Sequence, residues 1–375
     1  MSTIIGLFTE LLSAGGVQRA GRHVAAVVAK FAADRGVNYR FLSLNDAHGS
    51  HTIRVGPNEF LCSGYGRNKL QFVLAALNAA SRQPLLVIAL HPHLAPIVAA
   101  MRWRAGKFRS IVFAHGLEVW QPLSWPRASA LRSVDLVIGP SNDTTQHLIS
   151  KQQIRADKVR RLAWGLDPEF VARFRAPNAP SRPESFPVGA RIILTVGRWD
   201  PSERYKGADT LISSLPRILH TAPDAVLVLV GEGEDRPRLA QLALESGMAH
   251  RIRFLHGLSQ DELFACYAHC NVFALPSSGE GFGLVFLEAM AHAKPVIGGA
   301  HGGTPDVVED GVTGILVPHG DVALLSNALE SLLVNAARAS EMGARGSERV
   351  RTTYTFERFQ SGLLQVMEQV LIRQS

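Results

Sequence analysis

The apolar positions fall into short runs, hydrophobic on both faces, separated by polar or glycine-bearing turns and by longer stretches of helical period. Thr3–Phe8 is the first run. A turn containing Gly15-Gly16 follows, then a stretch from Val17 to Asp34 in which Val17, Ala20, Val24, Val27, Val28 and Phe31 recur at helical spacing. Leu85–Leu90, Ser110–Ala114 and Val134–Gly139 continue the series, and Pro140-Ser141-Asn142 brings capping-type residues to the next helix. Strands apolar on both faces belong inside a parallel sheet covered by helices.

The pattern lapses around Asp167–Val188, where Arg175–Gly189 holds four prolines in fifteen residues, the composition of a hinge. It then restarts with Arg191–Val196, Ala225–Val230, Arg251–Leu255, Val272–Leu275, Pro295–Gly298 and Gly314–Val317. Two doubly wound α/β domains, residues 1–170 and 187–354, are the expected architecture, with an amphipathic helix at Phe356–Ile372 beyond the last strand. In such sheets ligands bind at the carboxyl ends of the strands.

Composition agrees. The chain has 375 residues, 46% hydrophobic and 19% charged, with 33 Gly and 20 Pro, which excludes a disordered, collagen-like or coiled-coil protein. Three scattered cysteines (Cys62, Cys266, Cys270) are too few for a disulfide framework and point to a reducing compartment. No apolar run reaches the ~18 residues of a membrane span. The N-terminus lacks a basic leader and carries Glu10, unlike a signal peptide. A cytoplasmic protein, or one held peripherally on the inner face of the membrane, is expected.

Net charge is +7, but it is unevenly spread. Up to Gly165 there are 20 basic and 8 acidic residues, or +12; the remainder has 19 and 24, or −5. One half therefore meets something anionic, or two domains simply drift apart in charge.

The candidate chemistry lies at strand ends. Gly15 and Gly16 join the first strand to a helix, so that backbone N–H groups can approach a phosphate; an ordinary tight turn reads the same way. The spacing is neither a dinucleotide fingerprint nor a Walker motif. Arg198 follows Thr195-Val196-Gly197, and Lys206-Gly207 lies just beyond, so a guanidinium fork and an ammonium can converge on a diphosphate. A pair of surface bases beside Asp200 and Glu203 is the alternative. The segment from Pro276 to Met290 carries Gly279, Gly281 and Gly283, with Glu280 in the loop and Glu288 on the following helix. Carboxylates accept hydrogen bonds from vicinal hydroxyls, which fits a polyhydroxylated ligand beside a phosphate.

The Glu280-to-Glu288 spacing is the EX7E of retaining glycosyltransferases, and its context resembles glycosyltransferase family 4. GGVQR, His115-Gly116, VGR…KG, VGEGE, PSSGEGFGLVFLEAMA, KPVIGG and GGTPDVVEDGVTGILV agree with that resemblance. It implies the GT-B fold, two Rossmann-like domains facing a cleft, with residues 355–375 returning to the first. It implies that Arg198 and Lys206 neutralise the donor diphosphate, with Gly15 and Gly16 opposite. Backbone groups of Phe282, Gly283, Leu284 and Val285 would hold sugar and phosphate, Glu288 the ribose, Glu280 the transferred sugar, and Leu258 the base. His115 would reach the sugar or the reacting centre. No cofactor is implied, and no Asp-x-Asp motif is present, which agrees with a metal-independent transfer.

Other residues carry less. Cys266 and Cys270, one helical turn apart with His269 between, lack a fourth ligand for zinc. His91-Pro92-His93 is an acceptor contact or a plain turn, and His301 reads as loop chemistry. Met101–Arg109 interleaves aromatics with Arg and Lys, and Trp120 and Trp125 lie nearby, a mixture suited to an anionic headgroup layer. No nucleic-acid fold is recognisable. The expectation is a retaining hexosyltransferase that takes GDP-mannose or a UDP-hexose to a lipid-linked glycan acceptor in surface polysaccharide or lipopolysaccharide synthesis. A soluble enzyme with a small acceptor, and a non-catalytic nucleotide-sugar or nucleic-acid binder, are the alternatives.

Overall fold

The computed structural model describes residues 2–174 and 180–372. The first part of the proline-rich segment, 175–179, lies outside the described residues. The chain divides into two compact units, residues 1–171 with 355–375, and residues 172–354.

The first unit is built on eight strands: β1 (Thr3–Phe8), β2 (Asn38–Ser43), β3 (Gly49–Val55), β4 (Asn58–Gly64), β5 (Leu86–Ala89), β6 (Arg109–Phe113), β7 (Leu136–Gly139) and β8 (Val159–Arg161). Their order is β3-β4-β2-β1-β5-β6-β7-β8. The chain order reverses between β1 and β5, so the loops leaving these two strands flank the switch point at which doubly wound sheets bind ligands. Every central residue of β1, β5 and β7 is buried, as strands covered on both faces require.

Sequence patterning missed β2, β3, β4 and β8. The antiparallel pair β3–β4 alternates buried and exposed positions, because one face of this sheet edge meets water. Gly56, at φ +55°, opens its two-residue turn. The sheet is therefore mixed, not wholly parallel. The helix Gly16–Asp34 buries Ala20, Val24, Val27, Val28 and Phe31, whereas Val17 is only half-buried.

The helix Phe356–Ile372 packs on this unit. Phe356 meets the buried His23 ring edge-on at 5.1 Å, and Arg35 pairs with Glu368 at 2.7 Å. Its entry needs Gly165, since a Cβ there would lie 2.5 Å from the Thr355 carbonyl oxygen.

The second unit holds six parallel strands: β9 (Arg191–Val196), β10 (Ala225–Val230), β11 (Ile252–Leu255), β12 (Val272–Leu275), β13 (Val296–Gly299) and β14 (Gly314–Val317). Their order, β11-β10-β9-β12-β13-β14, puts the switch point between β9 and β12. Arg198 leaves the first of these strands and the glycine-rich loop leaves the second.

Candidate active site

In the second unit the loops after β9 and β10 are fitted to each other through glycines. A Cβ on Gly231 would stand 1.8 Å from the Gly197 carbonyl oxygen, and one on Gly233 2.1 Å from that of Trp199. Trp199 N–H donates to the Glu232 carbonyl at 2.7 Å. Arg198 is thus launched from a fixed backbone. The short 3-10 turn Pro201–Lys206 follows, and Gly207, left-handed at φ +79°, ends it against the Pro276 carbonyl.

Arg198 and Lys206 do converge, and on a residue that the sequence offered only as a neighbouring charge. Glu203 accepts Arg198 Nε at 2.8 Å and its Nη2 as well, and pairs with Lys206 Nζ at 2.6 Å. Burial opposes ionisation of Glu203, but hydrogen bonds from Arg198 and Lys206 outweigh it and hold the carboxyl below its usual range. Arg198 also pairs with Asp200 at 2.9 Å. The turn is pinned from its other side, where Arg204 reaches Asp235 at 2.8 Å and Arg238 bridges Asp235 to Asp209.

The loop after β12 lies against this turn. Ser278 N–H donates to the Tyr205 carbonyl, and a Cβ on Gly279 would be 2.6 Å from the Tyr205 ring. Glu280 is half-buried, and burial pushes its carboxyl up to about 7; Lys206 pulls it down and Glu203 pushes it further up. Burial also raises the Tyr205 phenol, and the charges of Glu203 and Glu280 add to it. Glu280 therefore shares one electrostatic environment with Lys206, Glu203 and Tyr205.

Gly303 N–H donates to the Glu280 carbonyl at 2.6 Å, and a Cβ on Gly303 would sit 2.2 Å from Gly281 O. His319 donates from Nδ1 to the Pro276 carbonyl at 2.9 Å, a brace with no motif to announce it. Gly283 takes the left-handed conformation at φ +90° and starts the helix Leu284–Ala291 with no side-chain cap. The amides of that first turn, at Leu284 and Val285, carry the positive end of the helix dipole.

Three expected donor residues lie in different surroundings. Phe282 is buried with its ring against Tyr354, so only its backbone faces the loop. Glu288 is not a helix-surface carboxylate: it is 2% exposed and accepts the Tyr267 hydroxyl at 2.7 Å. Leu258 is half-buried at the carboxyl end of β11, two strands from β9, just ahead of a helix capped reciprocally by Ser259 and Glu262.

In the first unit Gly15, at φ +143°, caps the helix that Gly16 begins. The loop before them is held by a buried acid that sequence reasoning passed over. Asp46 accepts Leu11 N–H at 2.8 Å, Leu12 N–H at 3.0 Å and the Ser43 hydroxyl at 2.6 Å. Its signal was faint, a lone Asp in a polar turn after a strand that the pattern had not revealed.

His115, at the end of β6, hydrogen-bonds the Leu90 carbonyl through Nε2 at 2.6 Å. A carbonyl only accepts, so Nε2 carries a hydrogen and donates it, leaving Nδ1 as the ring nitrogen not engaged in this bond. Trp164 stacks on this ring at 5.8 Å, and Glu118 accepts His115 N–H. His91 stands 6.0 Å from it, and burial depresses His91 to about 4, against the attraction of Glu118.

Among the described residues no cluster of three or more His, Cys, Asp or Glu is arranged to hold a metal ion. Cys266 and Cys270 are packed in the core, where burial raises both thiols to about 12. The basic-aromatic segment is divided. Arg102 is tied to Asp135 at 2.6 Å, Phe108 is buried and Trp120 stacks on His147, while Trp103 and Trp125 stand 89% and 76% exposed. Among the described residues no helix is long and apolar enough to cross a membrane.

Two α/β units, one on a mostly parallel and one on a wholly parallel sheet, are the architecture of the GT-B class of glycosyltransferases. The fold is shared with sucrose-phosphate synthase from Thermosynechococcus elongatus, at a TM-score of 0.79 and 24% identity over 99% of this chain and 100% of that one. Residues 180–349 match the family described as Glycosyl transferases group 1, and residues 15–170 match Glycosyltransferase Family 4. The chain belongs to glycosyltransferase family 4. It is 34% identical over 271 residues, 68% of each chain, to a GDP-mannose-dependent alpha-(1-6)-phosphatidylinositol monomannoside mannosyltransferase of Mycobacterium tuberculosis. It is 31% identical over 286 residues, 70% of each chain, to a GDP-mannose-dependent mannosyltransferase of Corynebacterium glutamicum that acts on the monoacylated form of that acceptor.

Proposed function

We propose that this glycosyltransferase moves a hexose, with retention and without a metal, from GDP-mannose or a UDP-hexose to a lipid-linked glycan acceptor. The observation that carries the reading is the convergence of Arg198 and Lys206 at the end of β9, beside the Gly279–Gly283 loop and Glu280. The two relatives use GDP-mannose and phosphatidylinositol-linked acceptors, which favours GDP-mannose among the donors.

Transfer breaks the bond between the sugar's anomeric carbon and a β-phosphate oxygen. The acceptor oxygen bonds to the same face of that carbon, and its proton passes to the departing phosphate. Charge grows on the leaving oxygen in the transition state, so fixed cations there accelerate the step. Arg198, Lys206 and the amides of Leu284 and Val285 supply that positive field, the role a divalent ion fills elsewhere. Gly15 and Gly16 would offer N–H donors to a phosphate. Phe282 and Gly283 would hold the sugar and phosphate through their backbone, Glu280 the sugar hydroxyls, Glu288 the ribose, and Leu258 the edge of the base. His115, its Nε2 committed to the Leu90 carbonyl, would meet a sugar hydroxyl or the reacting centre through Nδ1.

We also propose that the basic first unit rests on an anionic membrane surface where the acceptor is anchored, in surface-glycan synthesis. The test is turnover of GDP-mannose, UDP-glucose and UDP-galactose with bacterial membrane lipids in the presence of EDTA, the product anomer being read by NMR. An α-linked lipid product formed in EDTA is expected. An inverted linkage refutes retention, and abolition by EDTA refutes metal independence.

A further inference from the structure

The turn Pro201–Lys206 kinks at Glu203, whose backbone leaves the helical region, and the side chains of Glu203 and Lys206 meet at 2.6 Å. Glu203 is nearly enclosed, its side chain 10% exposed, and both cations assigned above to the donor already point at it. Lys206 is almost as enclosed, at 13%; its ammonium donates to the Arg198 carbonyl at 3.2 Å, but the anion that balances its charge at ion-pair distance is Glu203. Arg198 is different: 66% exposed, on a flexible stem, it can leave one anion for another without disturbing the backbone. Because Arg204 and Asp235 pin the opposite side of the turn, an exchange of anions needs side-chain movement alone.

We infer that Glu203 is an internal stand-in for the donor's diphosphate, holding Arg198 and Lys206 in the empty site and competing with the nucleoside diphosphate once transfer is complete. The inference rests on reading those two cations as the diphosphate site. A diphosphate must take over partners that Glu203 already satisfies, so part of its attraction is cancelled. The same competition helps the product leave. Removing the charge from Glu203 leaves the enclosed Lys206 with a carbonyl contact but no ion-pair partner, a cost borne only by the empty protein, because bound diphosphate restores the pairing. The sign of the effect is therefore opposite to that of an ordinary binding or positioning residue, whose loss weakens the ligand. Glu280 gives a second readout, since Glu203 raises it and neutralising Glu203 moves it towards its ordinary range.

The experiment is calorimetry and thermal unfolding with GDP and with UDP on the full chain, the Glu203→Gln and Glu203→Asp variants, and Arg198→Ala and Lys206→Ala. Glu203→Gln is expected to melt lower than wild type without ligand, to gain more from the diphosphate, and to bind it roughly tenfold more tightly, a difference of about 1.4 kcal/mol. Its turnover should fall through stronger product inhibition, and its acid limb should move to lower pH. Glu203→Asp, with a shorter reach, should shift the same way by less, and it serves alone if Glu203→Gln does not fold. Equal or weaker diphosphate binding by the folded variants overturns the stand-in role. Diphosphate binding to wild type that ignores Arg198→Ala and Lys206→Ala would instead refute the donor site itself.

Discussion

Tyr267 donates its phenolic hydrogen to Glu288 across 2.7 Å, and both side chains are buried. The bond joins the helix Gln260–His269 to the helix that leaves the glycine loop. It aims a carboxylate that the family pattern marks for the donor's ribose. Tyr267→Phe keeps the ring and strips one buried acceptor of its donor, which costs about 1–3 kcal/mol. The expected result is a urea midpoint lowered accordingly, together with weaker GDP binding as Glu288 loses its orientation. Unchanged nucleotide affinity in a destabilised variant would confine Glu288 to the core.

Gly279 lies under a tighter steric rule. Its φ is not in the left-handed region, but a Cβ there would come within 2.6 Å of Cδ2 of the Tyr205 ring. Gly279→Ala should cost about 1–3 kcal/mol through overpacking and lower kcat/KM for the donor at least roughly tenfold, because Tyr205 and the Glu280 loop are displaced together. Reducing the ring in the same chain, as Gly279→Ala/Tyr205→Leu, should return most of the stability. Additive losses in that double-mutant cycle would mean that the two residues do not clash as described.

The motifs found in the sequence gather around β9 and β12 because the glycine spacings that mark them are the ones that let backbone approach backbone. Gly231 against Gly197 and Gly303 against Gly281 are such contacts, and they leave a readable trace. Buried acids leave none. Glu203, Asp46 and Asp235 look like solvated loop charges until the fold surrounds them with N–H groups and guanidinium ions. The hairpin β3–β4 was illegible for a different reason: its alternating, half-polar strands resemble loop in a chain whose other strands are continuous apolar runs. Trp103 and Trp120 were indistinguishable as letters, and only packing separates the exposed ring from the one stacked on His147.

Glu280 should impose a pH dependence on stability opposite to the common carboxylate case. Its folded value near 7 lies above the ordinary glutamate value of about 4.3, so the folded protein retains a proton that the unfolded chain has lost. The contribution is fully present below about pH 4 and is lost as the pH rises through about 7. Asp235, held down to about 2 chiefly by its hydrogen bond from Arg238, runs the other way: its stabilisation exists above about pH 4 and is lost as the pH falls towards 2. Urea unfolding at pH 5 and pH 8 should show Glu280→Gln gaining on wild type at the higher pH. If the ionised form binds the sugar, kcat/KM of wild type should also rise through about pH 7, and the Glu280→Gln profile should lack that limb. A wild-type profile flat from pH 5 to 8 would remove Glu280 from the reacting centre.

The membrane reading makes a prediction about one face of the first unit. Between Glu59 and Glu118 the chain has no acidic residue and seven Lys or Arg. Leu70 and Leu74, one turn apart on the helix Lys69–Ala80, are 69% and 56% exposed, and Trp103 on the adjoining helix Ala95–Ala105 is 89% exposed. Arg40 and Arg104 line a groove with Leu74 and Leu77. Exposed apolar side chains with cations beside them suit an anionic interface, where each basic residue contributes about 1 kcal/mol near the surface. Flotation with phosphatidylglycerol vesicles at low salt should therefore retain the wild-type protein. Arg104→Glu should reduce that binding roughly tenfold or more, since it removes one favourable charge and adds an unfavourable one. Leu70→Ser/Leu74→Ser and Trp103→Ser should weaken binding while leaving GDP affinity unchanged, because these residues lie in the unit without Arg198 and Lys206. Vesicle binding that is equal for neutral phosphatidylcholine, or unaffected by all three changes, would place the membrane contact elsewhere.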